Sequence, residues 1–100
     1  MEKRFWMDTC AVITEERSSK AQRVLAVSRN VEKGIELFME MYNEVKDEAA
    51  AAEVRNLSET VEILGRDSEG QPTCMEFSYF DTDNSLVVYA LTVDYVQVWG

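Results

Sequence analysis

Residues 31–54, VEKGIELFMEMYNEVKDEAAAAEV, contain the clearest secondary-structure signal in the chain. Apolar side chains recur there at steps of three and four, the spacing of one face of an α-helix. The members of this stripe are Val31, Ile35, Phe38, Tyr42, Val45, Ala49 and Ala52. Asn30 precedes the stripe and is expected to cap the helix, with Glu32 complementing the dipole of the first turn. The pattern predicts one long amphipathic helix that packs on a sheet.

The polar side of the same helix carries a row of glutamates at i, i+4 spacing. The row consists of Glu32, Glu36, Glu40, Glu44 and Glu48. Like charges at that spacing destabilise an isolated helix by roughly 0.2–0.5 kcal/mol per pair. Such a row is either a solvated helix face or an acidic ridge that faces a basic partner.

The chain before the helix is expected to form a β-hairpin. Residues 4–14 are rich in β-branched and aromatic side chains that alternate at period two, which predicts a strand. Polar residues 15–20 are typical of a turn, and residues 23–28 would form the second strand. The spacing of residues 21–31 also fits a helix that begins near Ser19, so both interpretations stay open at this point.

Three further strands, which form an antiparallel meander, are predicted after the helix. They cover residues 60–66, 73–80 and 85–99, with turns at 67–72 and 81–84. The chain is thus expected to be a single domain, residues 1–100, of the α+β class. The predicted architecture is one long amphipathic helix packed on a 4–5-stranded antiparallel sheet, in the order β-β-α-β-β-β.

The last predicted strand is apolar on both of its faces. One face holds Val87, Tyr89, Leu91, Val93, Tyr95 and Trp99, and the other holds Leu86, Val88, Ala90, Val96 and Val98. A single helix covers only one face of a sheet. We therefore expect the second set to be an association face, covered by a second copy in a homodimer or by a bound partner.

Charge is distributed unevenly along the chain. Residues 1–35 contain seven basic and five acidic side chains, whereas residues 36–100 contain three basic and fourteen acidic ones, so +2 and −11 give the total of −9. Such a field repels phosphate backbones and anionic membranes and attracts basic surfaces. We expect a protein partner with a basic surface, and neither direct nucleic-acid nor membrane binding. The expected contact residues are Glu36, Glu40, Glu44, Asp81 and Asp83.

The residues that most often carry catalysis are missing or isolated. The chain has no histidine, which excludes Ser-His-Asp triads, Cys-His pairs and imidazole zinc sites. It has no glycine-rich phosphate-binding motif, and the segment from Asp81 lacks the glycine and glutamate of an EF-hand loop. Cys10 and Cys74 are expected to be free thiols, with a disulfide as the alternative. We expect no catalytic residue, metal ion or cofactor, and hence no enzyme.

Three functions are compatible with these features. The first is a small acidic protein-interaction module that associates with itself. We expect it to be cytoplasmic, because the N-terminal residues lack a signal-peptide core and no apolar run approaches the roughly 18 residues that span a bilayer. The second is an inhibitor from a mobile element, or an acidic decoy that mimics nucleic acid and blocks a basic groove. The third is a small-ligand-binding domain. Its pocket would be lined by Phe38, Met41, Tyr42, Tyr79 and Tyr89.

Overall fold

The computed structural model describes the backbone of residues 5–18, 20–51 and 56–99, and the side chains of residues 9–18, 20–49 and 56–94. Five strands and one helix lie in this described part. They are β1 (Phe5–Arg17), β2 (Arg23–Ser28), α1 (Val31–Ala51), β3 (Glu62–Arg66), β4 (Pro72–Phe80) and β5 (Leu86–Trp99). All five strands form one antiparallel sheet, in the spatial order β2-β1-β5-β4-β3. The predicted α+β architecture and element order are confirmed.

The helix begins at the predicted residue. The side-chain oxygen of Asn30 accepts a hydrogen bond of 3.1 Å from the backbone N–H of Lys33, which satisfies one of the free donors of the first turn. The alternative helix over residues 21–31 is wrong, because residues 23–28 pair with β1 as a strand. The end predicted at residue 54 lies outside the described residues, and α1 is described as far as Ala51.

The first strand is longer than predicted. Residues 15–17 were expected to belong to a turn, and that prediction is wrong, because Glu15 pairs with Tyr89 and Arg17 with Val87. The cause is β5, which supplies backbone partners to β1 along its whole length, from Phe5 opposite Trp99 onward. Pairing with a long neighbour outweighs the polar composition of this segment, and the turn begins only at Ser18.

The core lies between α1 and one face of the sheet, which we call the inner face. Ile13, Phe77 and Leu91 are fully buried there, and Phe38 of α1 is fully buried against them. The ring of Phe77 lies at the centre, with centroid distances of 5.3 Å to Phe38 and 5.2 Å to Tyr42. Tilted and edge-on contacts of this kind stabilise aromatic pairs beyond the burial of their area.

The opposite, outer face of the sheet has no helix over it in the described part of the chain. Side chains of β5 alternate as predicted: Val87 and Leu91 are buried on the inner face, whereas Leu86 is exposed and Val88 half-buried on the outer face. The thinnest dimension of the molecule is 18 Å, about the depth of one sheet and one helix.

Among the described residues, no helix is both long enough and apolar enough to cross a membrane.

Candidate functional site

The glutamate row of α1 lies on the solvent side of the helix, and all five of its members are exposed. Successive glutamates are separated by about 6 Å along the helix axis and by about 40° around it, because four residues make slightly more than one turn. The row therefore winds around the helix. Its last two members, Glu44 and Glu48, reach a groove beside Leu25 of β2.

The negative charge of this row is not neutralised within the described part of the chain. The ion pairs found there join Arg17 and Arg23 to Glu15, and Arg17 to Asp81, and none of them includes a glutamate of α1. The predicted contact residues Glu36, Glu40 and Glu44 thus present exposed carboxylates to solvent. Such carboxylates attract cations from outside the molecule.

The two predicted carboxylates of the β4–β5 turn have different environments. One side-chain oxygen of Asp81 accepts a 2.8 Å hydrogen bond from Arg17, and the other accepts backbone N–H bonds from Asp83 and Ser85, both 2.9 Å. Asp81 therefore holds the turn and ties it to β1. Asp83 is exposed, so it is the carboxylate of this turn that faces solvent.

The predicted association face is part of a larger set of exposed apolar side chains. Leu86 is 38% exposed, and Val88 and Ala90 are half-buried on the outer face. Val96 and Val98 belong to β5, but their side chains lie outside the described residues. The most exposed members of this set, Val24 at 59% and Val27 at 56%, were not predicted from the sequence. Both lie in β2, and no local pattern shows that β2 is a strand at the edge of the sheet.

A polar network around the buried side chain of Glu15, also missed from the sequence, lies on the inner face beside the turn between β1 and β2. Glu15 is only 7% exposed, and its Oε1 atom lies 3.0 Å from an Nη atom of Arg23 and 3.5 Å from Nε of Arg17. The hydroxyl of Tyr89 hydrogen-bonds to the same side chain. The continued alternation of Ala11, Ile13 and Glu15 was the signal that could have revealed this position.

Tyrosine ionisation is disfavoured in this network. Burial raises the pKa of Tyr89 well above its usual range, and the hydrogen bond to Glu15 raises it further. Burial also raises the pKa of Tyr79, although the positive charge of Arg17 opposes that rise. A cavity of about 240 Å³ adjoins the network and is lined by Ala21 and four charged residues of the β1–β2 hairpin. In the described part of the chain every buried side-chain nitrogen and oxygen has a hydrogen-bond partner, so no buried polar atom of the network is left without one.

The residues predicted to line a small-ligand pocket do not surround one common cavity. Phe38, Tyr42 and Tyr79 are buried in the core. Met41 and Tyr89 instead line a groove of about 260 Å³ between α1 and the sheet. Its other lining residues are Leu25, Glu44, Val45 and Glu48.

The described residues contain no group of three or more acidic or cysteine side chains that could hold a metal ion. Cys10 is buried, Cys74 is half-buried, and both are free, so the predicted free thiols are confirmed and the alternative disulfide is wrong.

Comparison of the chain with protein-family models, curated proteins and solved structures gives no match.

Proposed function

We propose that the protein is a small non-catalytic interaction module that binds a basic protein surface through Glu36, Glu40 and Glu44 of α1. The observation that carries this proposal is a row of exposed glutamates without an ion pair in the described part of the chain. Over four successive pairs, the repulsion costs the helix roughly 1–2 kcal/mol. Because the row destabilises its own helix, we expect the positive charges of a bound partner to offset the repulsion between the glutamates.

Composition and thiol state support the other parts of the proposal. A chain without histidine lacks the most common general base, which favours binding over catalysis. Both cysteines are free, as is usual in a reducing compartment, which supports the cytoplasmic location that we propose.

Charge reversal tests the proposed function. The triple variant Glu36→Lys, Glu40→Lys, Glu44→Lys should weaken binding of a lysine-rich peptide by at least about tenfold, measured by calorimetry. The matched control reverses three exposed glutamates away from α1, at Glu59, Glu62 and Glu69, and therefore changes net charge equally. Binding by the control should change less than about threefold. Equal losses in both variants would show an effect of net charge alone and would contradict the proposal.

The spacing of the row favours one particular kind of basic partner. Steps of about 6 Å along α1 are close to the ~7 Å that two base-pair rises span in B-DNA. A groove that ordinarily holds nucleic acid would therefore accept the row. For such a partner, duplex DNA should compete with this protein for binding.

Self-association is the second candidate function, favoured by the exposed apolar side chains of the outer face. Val24, Val27 and Leu86 are exposed large apolar side chains on that face. Sedimentation equilibrium should show a dimer, and the double variant Val24→Lys, Leu86→Lys should shift it toward monomer. Both positions are exposed, so the substitutions leave the core intact. A monomer at all concentrations would contradict this candidate.

A further inference from the structure

We propose that the free edge of β2, together with the groove beneath Glu44 and Glu48, is a docking strand for an extended basic segment of the partner. The inference rests on the proposed function, because it specifies which part of a basic partner binds and in which conformation. The added segment would form a sixth strand of the sheet and would alternate lysine or arginine with apolar residues.

The two edges of the sheet differ in how well they are protected. β3 is five residues long, and its pairing register with β4 shifts twice around Gly65. Such irregularities make an edge strand a poor template for pairing with another strand. β2 contains no proline or lysine, and its one charged side chain, Arg23, is paired with Glu15. Its single register shift lies at Leu25. In the described part of the chain β2 pairs only with β1, so about half of its backbone N–H and C=O groups point away from the sheet.

The side chains around this edge determine which residues an added strand needs. Successive side chains of a strand point to opposite faces. On the outer face the added strand would meet Val24 and Val27, which are more than half exposed and favour apolar residues. On the inner face it would meet the groove, where Leu25 lies on the edge strand and the carboxylates of Glu44 and Glu48 lie on the helix. Those carboxylates favour lysine or arginine.

The same charges disfavour a second copy of this chain at the edge. Pairing β2 with β2 of another molecule would bring Glu44 and Glu48 of both molecules to the same side of the joined sheet. Like charges placed together across an interface oppose association. A basic segment neutralises these carboxylates instead, so it is the occupant that fits both the free edge and the groove.

A synthetic heptapeptide of alternating lysine and valine, beginning and ending with lysine, is the probe. Its matched control has the same composition, with the four lysines placed before the three valines. The alternating peptide should bind at least about tenfold more tightly, and only this peptide should slow hydrogen exchange of backbone amides in β2. Equal affinity of the two peptides, or protection absent from β2, would overturn the inference.

Two double variants separate this inference from the proposed function. Glu44→Lys, Glu48→Lys changes the groove, whereas Glu36→Lys, Glu40→Lys makes the same change of charge farther along the row. Both pairs belong to the row, so both should weaken binding of the alternating peptide, but the first should weaken it at least about threefold more than the second does. If both pairs weaken it equally, the row still binds basic segments but the edge is not the docking site. If neither weakens it, both proposals fail. Dimerisation through β2, seen as concentration-dependent protection of its amides without peptide, would also overturn the inference.

Discussion

Gly34 of α1 lies directly on Ala11 of β1. A Cβ atom added at Gly34 would come within 2.5 Å of the Cβ atom of Ala11, a distance that side chains do not tolerate. The missing side chain therefore lets the helix backbone approach the sheet near the start of α1. This contact positions the helix on β1, and with it the glutamate row and the groove beside β2.

The variant Gly34→Ala should unfold more easily despite its higher helix propensity. Alanine would gain about 1 kcal/mol in an open helix, but overpacking costs about 1–3 kcal/mol, and Ala11 is held rigidly by the β1 backbone. We expect a net loss of up to about 2 kcal/mol in the free energy of unfolding, measured in urea. Adding Ala11→Gly should recover part of this loss because it makes room. A Gly34→Ala protein more stable than the parent would contradict the close contact.

The variant Glu15→Gln should destabilise the protein by about 1–2 kcal/mol, because it removes the charge that pairs with Arg17 and Arg23. This loss is smaller than the loss expected for a fully buried ion pair, because the Arg23 side chain is 67% exposed and solvent screens its charge. Glu16→Gln is the matched control, because Glu16 is exposed and adjacent. Its effect should stay within about 0.5 kcal/mol in the same urea titration. Equal effects at both positions would show that the network contributes nothing.

Stability should fall at alkaline pH. The folded state raises the pKa of Tyr89 above the ordinary value of 10.0, so unfolding releases protons once the pH exceeds that value. The stabilisation is complete below pH 10 and is lost as the pH rises above it. Urea titrations from about pH 8 to about pH 12 should show this decline. Tyr89→Phe should flatten it more than Tyr79→Phe does, because Arg17 opposes the rise at Tyr79. An unchanged slope in Tyr89→Phe would contradict the assignment.

Glu62 and Glu76 lie opposite each other on β3 and β4, and like charges in such cross-strand pairs are unfavourable. Glu62→Lys should therefore raise the free energy of unfolding by about 0.5–1 kcal/mol. The gain should shrink at high salt, because screening weakens surface pairs. Glu69→Lys, an exposed position in the β3–β4 turn, is the control of equal charge and should give no comparable gain. A loss of stability in Glu62→Lys would contradict the register.

Part of the candidate site was predictable because it lies within single elements. The exposure of Glu36, Glu40 and Glu44 follows from helical periodicity once the apolar stripe of α1 is recognised. Asp81 was predicted to be a contact residue, but it holds the turn and bonds to Arg17. Its partner lies 64 residues away in the chain, so no local pattern could reveal this role.

The amino-acid sequence by itself determined the type of every element except β2, which stayed open between strand and helix, and the alternation of faces along β5. These features depend on the spacing of residues within one helix or one strand, so they are encoded locally. Only the tertiary structure decided that β1 pairs with β5, that β2 is an edge strand, and that Glu15 is buried. The reason is that strand pairing joins segments from opposite ends of the chain, such as Phe5 and Trp99. Every residue type except proline offers the same backbone N–H and C=O groups, so local side-chain spacing does not specify which strands meet.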